Sequence, residues 1–351
     1  DFSYLSYHLS DSDRLTLLAS ASYADFEIPN SFKTFDSQSP DYTTIYNVAG
    51  VNPQDPSMNW AKLDDSQTEQ NYYAVLSWQH STDDLNFQLS PYFRYGRIDY
   101  KPDRDRDLLY QGVSEHEVND FTTGGVQFDL SRDIGKHHTL RAGFLGQYTS
   151  ERLDTDTFAF PADDEGAQTS NVPLRMIDNT GNWSVEAGAY LQDEYKISRT
   201  LTLNYGLRYD RFASSFGNQG QLSPRANLVW KPVRSLTFHI GYSRYFAPPS
   251  PQYIYPSTLA RFAGTTNAPA SPSGDPTKVE KSHYIDAGFL FRVTKAFQVT
   301  VDAYSKWAHD LTDLGQFGRA VILAPFSYRR GHVHGAELGL SWHHGPWAVF
   351  G

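Results

Sequence analysis

Residues 201–212 read "LTLNYGLRYDRF". Leu201, Leu203, Tyr205, Leu207 and Tyr209 alternate without a miss against Thr202, Asn204, Gly206, Arg208 and Asp210. A strand sends successive side chains to opposite faces, so this segment has one apolar face and one wet face. Which solvent meets each face decides the fold.

The same period-two pattern recurs along most of the chain. It is clear in "RLTLLASASY" (14–23), "LNFQLSPYFRYG" (85–96), "TLRAGFLGQY" (139–148), "SLTFHIGYSRYF" (235–246), "SHYIDAGFLFRV" (282–293) and "AFQVTVDAY" (296–304). No stretch combines a 3.6-residue period with helix caps, so the reading is all-β.

The connections order these strands. Short ones at 10–13, 81–84, 131–137, 198–200, 232–235, 294–296 and 343–346 alternate with longer ones near 27–70, 99–118, 153–182, 213–220, 247–280 and 310–328. Strict alternation of short and long is the mark of an antiparallel up-and-down sheet with its tight turns at one end. Transmembrane barrels have short periplasmic turns and long extracellular loops in this arrangement. A soluble sandwich or propeller would also alternate along its strands, but loops of this length on one side only are unexpected there. The expected fold is therefore a transmembrane antiparallel up-and-down β-barrel of about 14 strands. Its final segment, "WAVFG" (347–351), is shorter than the about 9–11 residues that span a bilayer. Residues 1–351 are accordingly expected to be one partial barrel domain of a larger wall.

Composition agrees. The chain has no cysteine, which excludes disulfides and thiolate metal sites, and only two methionines against 15% aromatics. No run approaches the about 18 apolar residues of a membrane helix, and mean hydropathy is −0.54. The opening "DFSYLSYHLS" has no basic stretch followed by an apolar one, so no signal peptide is expected in it. The formal charge of −10 argues against a nucleic-acid partner.

On the barrel reading, Leu201, Leu203, Tyr205, Leu207, Tyr209, Ile285, Ala287, Phe289, Phe291, Phe297, Val299 and Val301 face lipid. Thr202, Asn204, Asp210, Asp286, Gln298 and Thr300 face the interior. Arg141, Arg208, Arg225, Arg292, Asp302 and Glu337 are the expected lumen-facing charges, because Arg or Lys facing lipid costs about 2–4 kcal/mol at mid-bilayer. Trp230, Tyr242, Tyr245, Trp342 and Trp347, near strand ends, suit interfacial aromatic girdles.

Little suggests chemistry. There is no Gly-x-Ser-x-Gly, no His-Glu-x-x-His and no phosphate-binding glycine loop, so no enzyme, no catalytic residue and no cofactor is expected. "HVH" (332–334) puts two imidazoles on one face of a strand, an incomplete metal site, and no metal is assigned. "RDRD" (104–107) reads as an ion-pair ladder at a loop edge, with Arg104 and Arg106 on one face and Asp105 and Asp107 on the other; a grip on a charged substrate is the alternative. Two loops carry much of the charge: 27–70 has seven acids against two lysines, and 153–182 has six acids against one arginine. Calcium at "DDE" (163–165) or steering of a cationic ligand is one reading; a solvated, self-repelling loop is the other.

Several stretches resemble TonB-dependent outer-membrane receptors. "AGAYLQDEYKISRTLTLNYGLRYDRF" (187–212) resembles the strand–turn–strand that opens with Tyr-x-Gln-Asp-Glu in that family. "QLSPRANLVWKPVRSLTFHIGYSRYFAPPSPQYI" (221–254) resembles its Ser-Pro-Arg strand and the Pro-Ser loop beyond. "VEKSHYIDAGFLFRVTKAFQVTVDAYSKWAHDLTDL" (279–314) is similar to the Glu-x-Ser strand pair, and "RRGHVHGAELGLSW" (329–342) to the later Gly-x-Glu strand. The four come in the family's order and cover roughly the second half of the chain.

The resemblance implies a barrel of about 22 strands filled by an N-terminal plug, which this chain does not contain. It implies localisation in the bacterial outer membrane, among outer-membrane lipid and lipopolysaccharide. It implies import of a scarce nutrient, most often a ferric siderophore, with cobalamin and oligosaccharides as competitors, and coupling to the TonB energy complex through the plug region. Phe158, Phe160, Tyr253, Tyr255, Phe262, Phe317 and Phe326, in the predicted extracellular loops, are the candidate ligand contacts; folding of the loops onto one another is the other reading of them. A passive porin or solute channel of about 14 strands is the alternative.

Overall fold

The computed structural model describes residues 1–28, 46–58, 62–249, 260–268, 277–315 and 324–351. Strands β1 (Phe2–His8), β2 (Asp13–Glu27), β3 (Ser66–Ser81) and β4 (Leu85–Lys101) precede a short helix, α1 (Arg104–Gln111). There follow β5 (Val113–Ile134), β6 (His138–Ala159), β7 (Leu174–Lys196), β8 (Leu201–Ser214) and β9 (Gly217–Val233). The remainder are β10 (Leu236–Ala247), β11 (Glu280–Arg292), β12 (Phe297–Gly315), β13 (Ala324–His344) and β14 (Trp347–Phe350). Each strand pairs antiparallel with the next, giving one 14-stranded up-and-down sheet in chain order. Among the described residues β1 pairs only with β2 and β14 only with β13.

Register carries the two-faced pattern of β8 across the wall. Tyr205 stands between Asp193 and Ala226, and Leu207 between Leu191 and Pro224. Tyr205, Leu207 and Tyr209 are 45%, 44% and 50% exposed, whereas Arg208 and Asp210 between them are half-buried. The row of Leu207 is thus the convex side and the row of Arg208 the concave side, where converging side chains crowd one another. Phe144, Leu191, Leu222, Ile240, Phe291 and Leu338 are also exposed on the convex side. A contiguous apolar strip of that extent is an aggregation hazard in water and the expected surface in hydrocarbon.

The lipid belt is shorter than the strands. On β6 the convex row is apolar or small from Leu140 to Tyr148 and then turns polar through Ser150, Arg152, Asp154 and Asp156. Nine residues from 140 to 148 match the span of a tilted strand. Strands of 22 or 23 residues, as in β5, β6 and β7, reach about 70 Å at ~3.3 Å per residue and stand well beyond the bilayer on the long-loop side.

This overrun corrects the predicted loops. Residues 113–118, 153–159 and 174–182 are strand, and the predicted loop at 213–220 is a two-residue turn at 215–216. Ser, Gly and Asn in "SSFGNQG" read as loop formers, yet the ladder continues straight to the turn, with Ser214 opposite Gly217. A second correction concerns Tyr245, which shares its row with Gly241 and Ser243 on the concave side, one position out of phase with outward Tyr242. Trp230 does face outward beside the short turn, stacked on Phe238 at 5.5 Å.

Substituting Leu207→Arg or Phe289→Arg should cost about 2–4 kcal/mol each and block assembly, whereas Thr202→Arg or Thr300→Arg on the concave face should be tolerated. Heat-modifiable migration of the membrane-inserted protein reads this directly. Equal damage from both faces would contradict the assignment.

Candidate functional site

All six predicted lumen charges lie on concave rows. Arg141 is opposite Gln192, Arg208 opposite Tyr190, Arg225 opposite Gly206, Arg292 opposite Gln298, and Asp302 opposite Glu337. They are not one cluster. Arg141 pairs with Glu194 at 3.4 Å and Arg208 with Asp210 at 2.6 Å. His239, which the sequence reading passed over, approaches both Asp286 at 3.3 Å and Asp302 at 3.2 Å. Glycine opposite a long charged side chain is what admits these pairs. A Cβ at Gly188 would collide with Arg208 and Asp210, and one at Gly288 with Asp302.

The concave face also holds aromatics. Tyr245, Tyr284 and Tyr304, on β10, β11 and β12, make a continuous stripe: the first two rings meet edge-on at 6.3 Å, and the last two stack at 6.0 Å. Gly335 opposite Tyr304 leaves room for its ring. Further round, the Tyr92 hydroxyl donates to Gln147 at 2.6 Å, and that of Tyr190 donates to Asp129 at 2.7 Å. Alternation alone could have found the stripe, since each tyrosine is in phase with a charged or glycine position.

The loop aromatics have other surroundings. Phe160 is fully buried with Val48, Leu108 and Leu109, where segment 46–58 meets α1. Phe262, 2% exposed, packs on Val113, Ala159 and Met176 at the concave top of β5–β7. That contact is held by Arg261 on Asp178 at 3.0 Å and by the Thr266 amide on the Phe160 carbonyl at 2.9 Å. Both phenylalanines position loops and have no face left for a ligand. Phe158 stands on the outward row beneath the guanidinium of Arg104, 4.0 Å from its ring centre. A cavity of about 530 Å³ lies there, bordered by His116, Asp156 and Arg175. Phe326 is on an outward row too, edge-on to Tyr328 at 4.7 Å. Tyr253, Tyr255 and Phe317 lie outside the described residues.

The "RDRD" ladder is corrected to the opening of α1. Its signals were present: Asp105 and Asp107 in the first turn, and Gly112 as a left-handed C-cap with φ 70°. Helical spacing swings Asp107 inward beside Asp65 while Arg104 reaches Phe158. "HVH" does place His332 and His334 on one face, their rings 6.3 Å apart, with His334 bonded to Ser305 at 2.7 Å. No group of three metal-ligating side chains occurs among the described residues. Asp163 of "DDE" closes its own turn, accepting from the Ala167 amide at 2.7 Å.

Geometry of this kind, a sheet apolar outside and charged within, defines a membrane-spanning β-wall built around a polar interior. The chain belongs to the TonB-dependent receptor β-barrel family: the family model "TonB dependent receptor-like, beta-barrel" matches residues 4–351. No curated protein matches. Solved structures with the same fold include the ferric yersiniabactin uptake receptor FyuA from Yersinia pestis, at TM-score 0.63 and 12% identity over 97% of this chain and 48% of that one. The copper transporter OprC gives 0.64 and 14% over 97% and 49%, and the ferric citrate transporter FecA 0.61 and 12% over 97% and 46%. The chain spans about half the length of these structures. Receptors of this family are outer-membrane barrels, and no described helix is long and apolar enough to cross a membrane.

The loop-side rim is pH-sensitive. Burial first, and then the charges of Asp65 and Asp103, push Asp107 from the ordinary 3.8 up to about 8. Burial raises Asp65 as well. The packed rim therefore holds a proton that the opened rim releases, so its stability falls as pH rises from 3.8 to about 8 and is level above that. Hydrogen exchange at Leu108 and Leu109, corrected for intrinsic rates, should lose protection across this window. Asp107→Asn, which still accepts from Gln111, should flatten the profile; an unchanged profile would contradict the assignment.

Proposed function

We propose that residues 1–351 are one domain, part of the wall of an energised outer-membrane receptor that binds a metal chelate and imports it. A ferric siderophore is the leading class. Family membership supports this reading, as do neighbours whose names include ferric yersiniabactin uptake, copper transport and ferric citrate transport. The observation that carries it is the concave face, where paired charges and the Tyr245–Tyr284–Tyr304 stripe line a polar interior suited to a flat, polar-edged ligand. Tyr284 and Tyr304 are the proposed contacts on the path inward, with Tyr253, Tyr255 and Phe317 as proposed loop contacts. Energy comes from the TonB complex through a plug supplied by the longer receptor. A passive pore of 14 strands needs a ladder between β1 and β14, and there is none among the described residues.

In cells starved of iron, the complete receptor should restore uptake of a radiolabelled ferric siderophore, and loss of TonB should abolish it. Tyr284→Ala with Tyr304→Ala should lower uptake about tenfold at unchanged surface level, as expected for losing two aromatic contacts. Uptake indifferent to TonB would favour the passive channel.

A further inference from the structure

Outward-facing cations are treated differently on two parts of the wall. On β4–β7 the outward arginines above the lipid belt have acids beside them. Arg97 approaches Asp120 at 3.7 Å, Arg152 meets Asp154 at 2.8 Å, and Arg175 meets Asp156 at 2.8 Å. On β10–β13 the same zone carries cations and no acid. Three rungs of the register face outward there. They are Tyr242–Ile285–Ser305–His334, then Arg244–His283–Trp307–His332, then Phe246–Lys281–His309–Arg330. Among the described residues, the first outward carboxylate further along these strands is Asp313, four residues past His309.

The height of these rungs is that of a head-group layer. A tilted strand crosses hydrocarbon in about 9 residues. Counted from the short-turn ends, that length runs from Leu236 to Arg244, from Phe291 to His283 and from Phe297 to Ser305. The rows below are apolar or small, so the cations begin where the hydrocarbon ends. Trp307 in the middle rung suits that border.

The side chains are open. Arg330, His309, His332 and His334 are exposed, and Lys281 and Arg244 are half-buried. Arg244 Nη1 donates to the Leu222 carbonyl at 3.4 Å. Nδ1 of His283 lies 2.9 Å from the Tyr242 hydroxyl and Nδ1 of His334 lies 2.7 Å from Ser305, which leaves Nε2 of each ring for another partner. Gathering Arg244, Lys281 and Arg330 on one face without an acid is unfavourable by mutual repulsion, and an anion at the same height offsets it.

We propose that this band docks the phosphate groups of the outer-leaflet glycolipid, lipopolysaccharide, with its acyl chains lying on the apolar rows below. Charge complementarity and height select this occupant, an anion carried by an amphiphile at the border of the belt. Four strands at ~4.8 Å spacing make the band about 14 Å wide, which accommodates more than one phosphate. A phospholipid with a single phosphodiester leaves much of it unfilled. The proposal rests on the membrane placement of the outward face and not on what the receptor imports.

The test uses the complete receptor in detergent, offered equal amounts of three lipids, with retained lipid read by native mass spectrometry. The lipids are the bisphosphorylated lipid anchor of lipopolysaccharide, the same glycolipid with its phosphates removed, and phosphatidylglycerol. About tenfold preference for the phosphorylated anchor over each of the others is expected, as for a charge-assisted contact. Lys281→Gln with Arg330→Gln should remove most of that preference, and Lys281→Arg should keep it. Arg152→Gln, on the acid-paired side of the wall, should leave it unchanged. Equal retention of the phosphorylated and dephosphorylated forms, a preference that survives the double variant, or an equal loss with Arg152→Gln would overturn the proposal. Phosphatidylglycerol retained as well as the anchor would overturn the choice of occupant. If the double variant does not assemble, the lipid series on the native protein decides it. A spin label at Phe289 separates the underlying readings: lipid contact there without a phosphate preference defeats only this inference, and water contact defeats the membrane placement itself.

Discussion

Hydrocarbon offers no partner to a backbone amide or carbonyl. A chain that crosses it as strands must therefore satisfy each of those groups from a neighbouring strand. This constraint governs the molecule. It explains why 14 strands follow one another in chain order with antiparallel ladders and no crossover. It also explains why the long β5–β6 and β6–β7 ladders stay paired from the short turns far into the loop side. Once the backbone is fixed in this way, side chains have two destinations only, and the chemistry of each strand sorts into an apolar row and a polar row.

The two rows do different work. The convex row anchors: its apolar side chains set the height of the bilayer, and Trp230 marks one border. The concave row is where a receptor of this family can act, and there several of the charges are held by neighbours of opposite sign or by aspartate. Arg208 leans on Asp210, Arg141 on Glu194, and His239 sits between two aspartates. Glycines such as Gly188 and Gly288 keep these pairs close to the wall. Above the membrane the strands continue as a polar palisade, and the loops pack on it through small private cores around Phe160 and Phe262.

Much of this was readable from residue order. Period two in 201–210 put Leu207 and Arg208 on opposite faces, and the registers carry each into a different row across the wall. Connection length identified the end carrying the tight turns. What escaped reading escaped for physical reasons. Strand that has left the bilayer no longer needs an apolar row, so residues 153–159 look like loop although they are fully paired. The eight residues of α1 are too few to show a helical period, and only Gly112 and the acids of the first turn announce it. Tyr245 was misplaced because composition near a strand end was weighed above phase. Phe160 and Phe262 were read as candidate ligand contacts because loop aromatics with nothing local to cover them look free, and their covers come from segments about 50 to 150 residues away in sequence.

The account stands or falls on which medium touches each row of β8. Nitroxide labels placed singly at 203 to 209 in the complete receptor, reconstituted in bilayers, measure this through collision with oxygen against a water-soluble nickel chelate. Oxygen contact should peak at 203, 205, 207 and 209, and fall at 204, 206 and 208. A uniform profile, or chelate contact peaking at Tyr205 and Leu207, would contradict it.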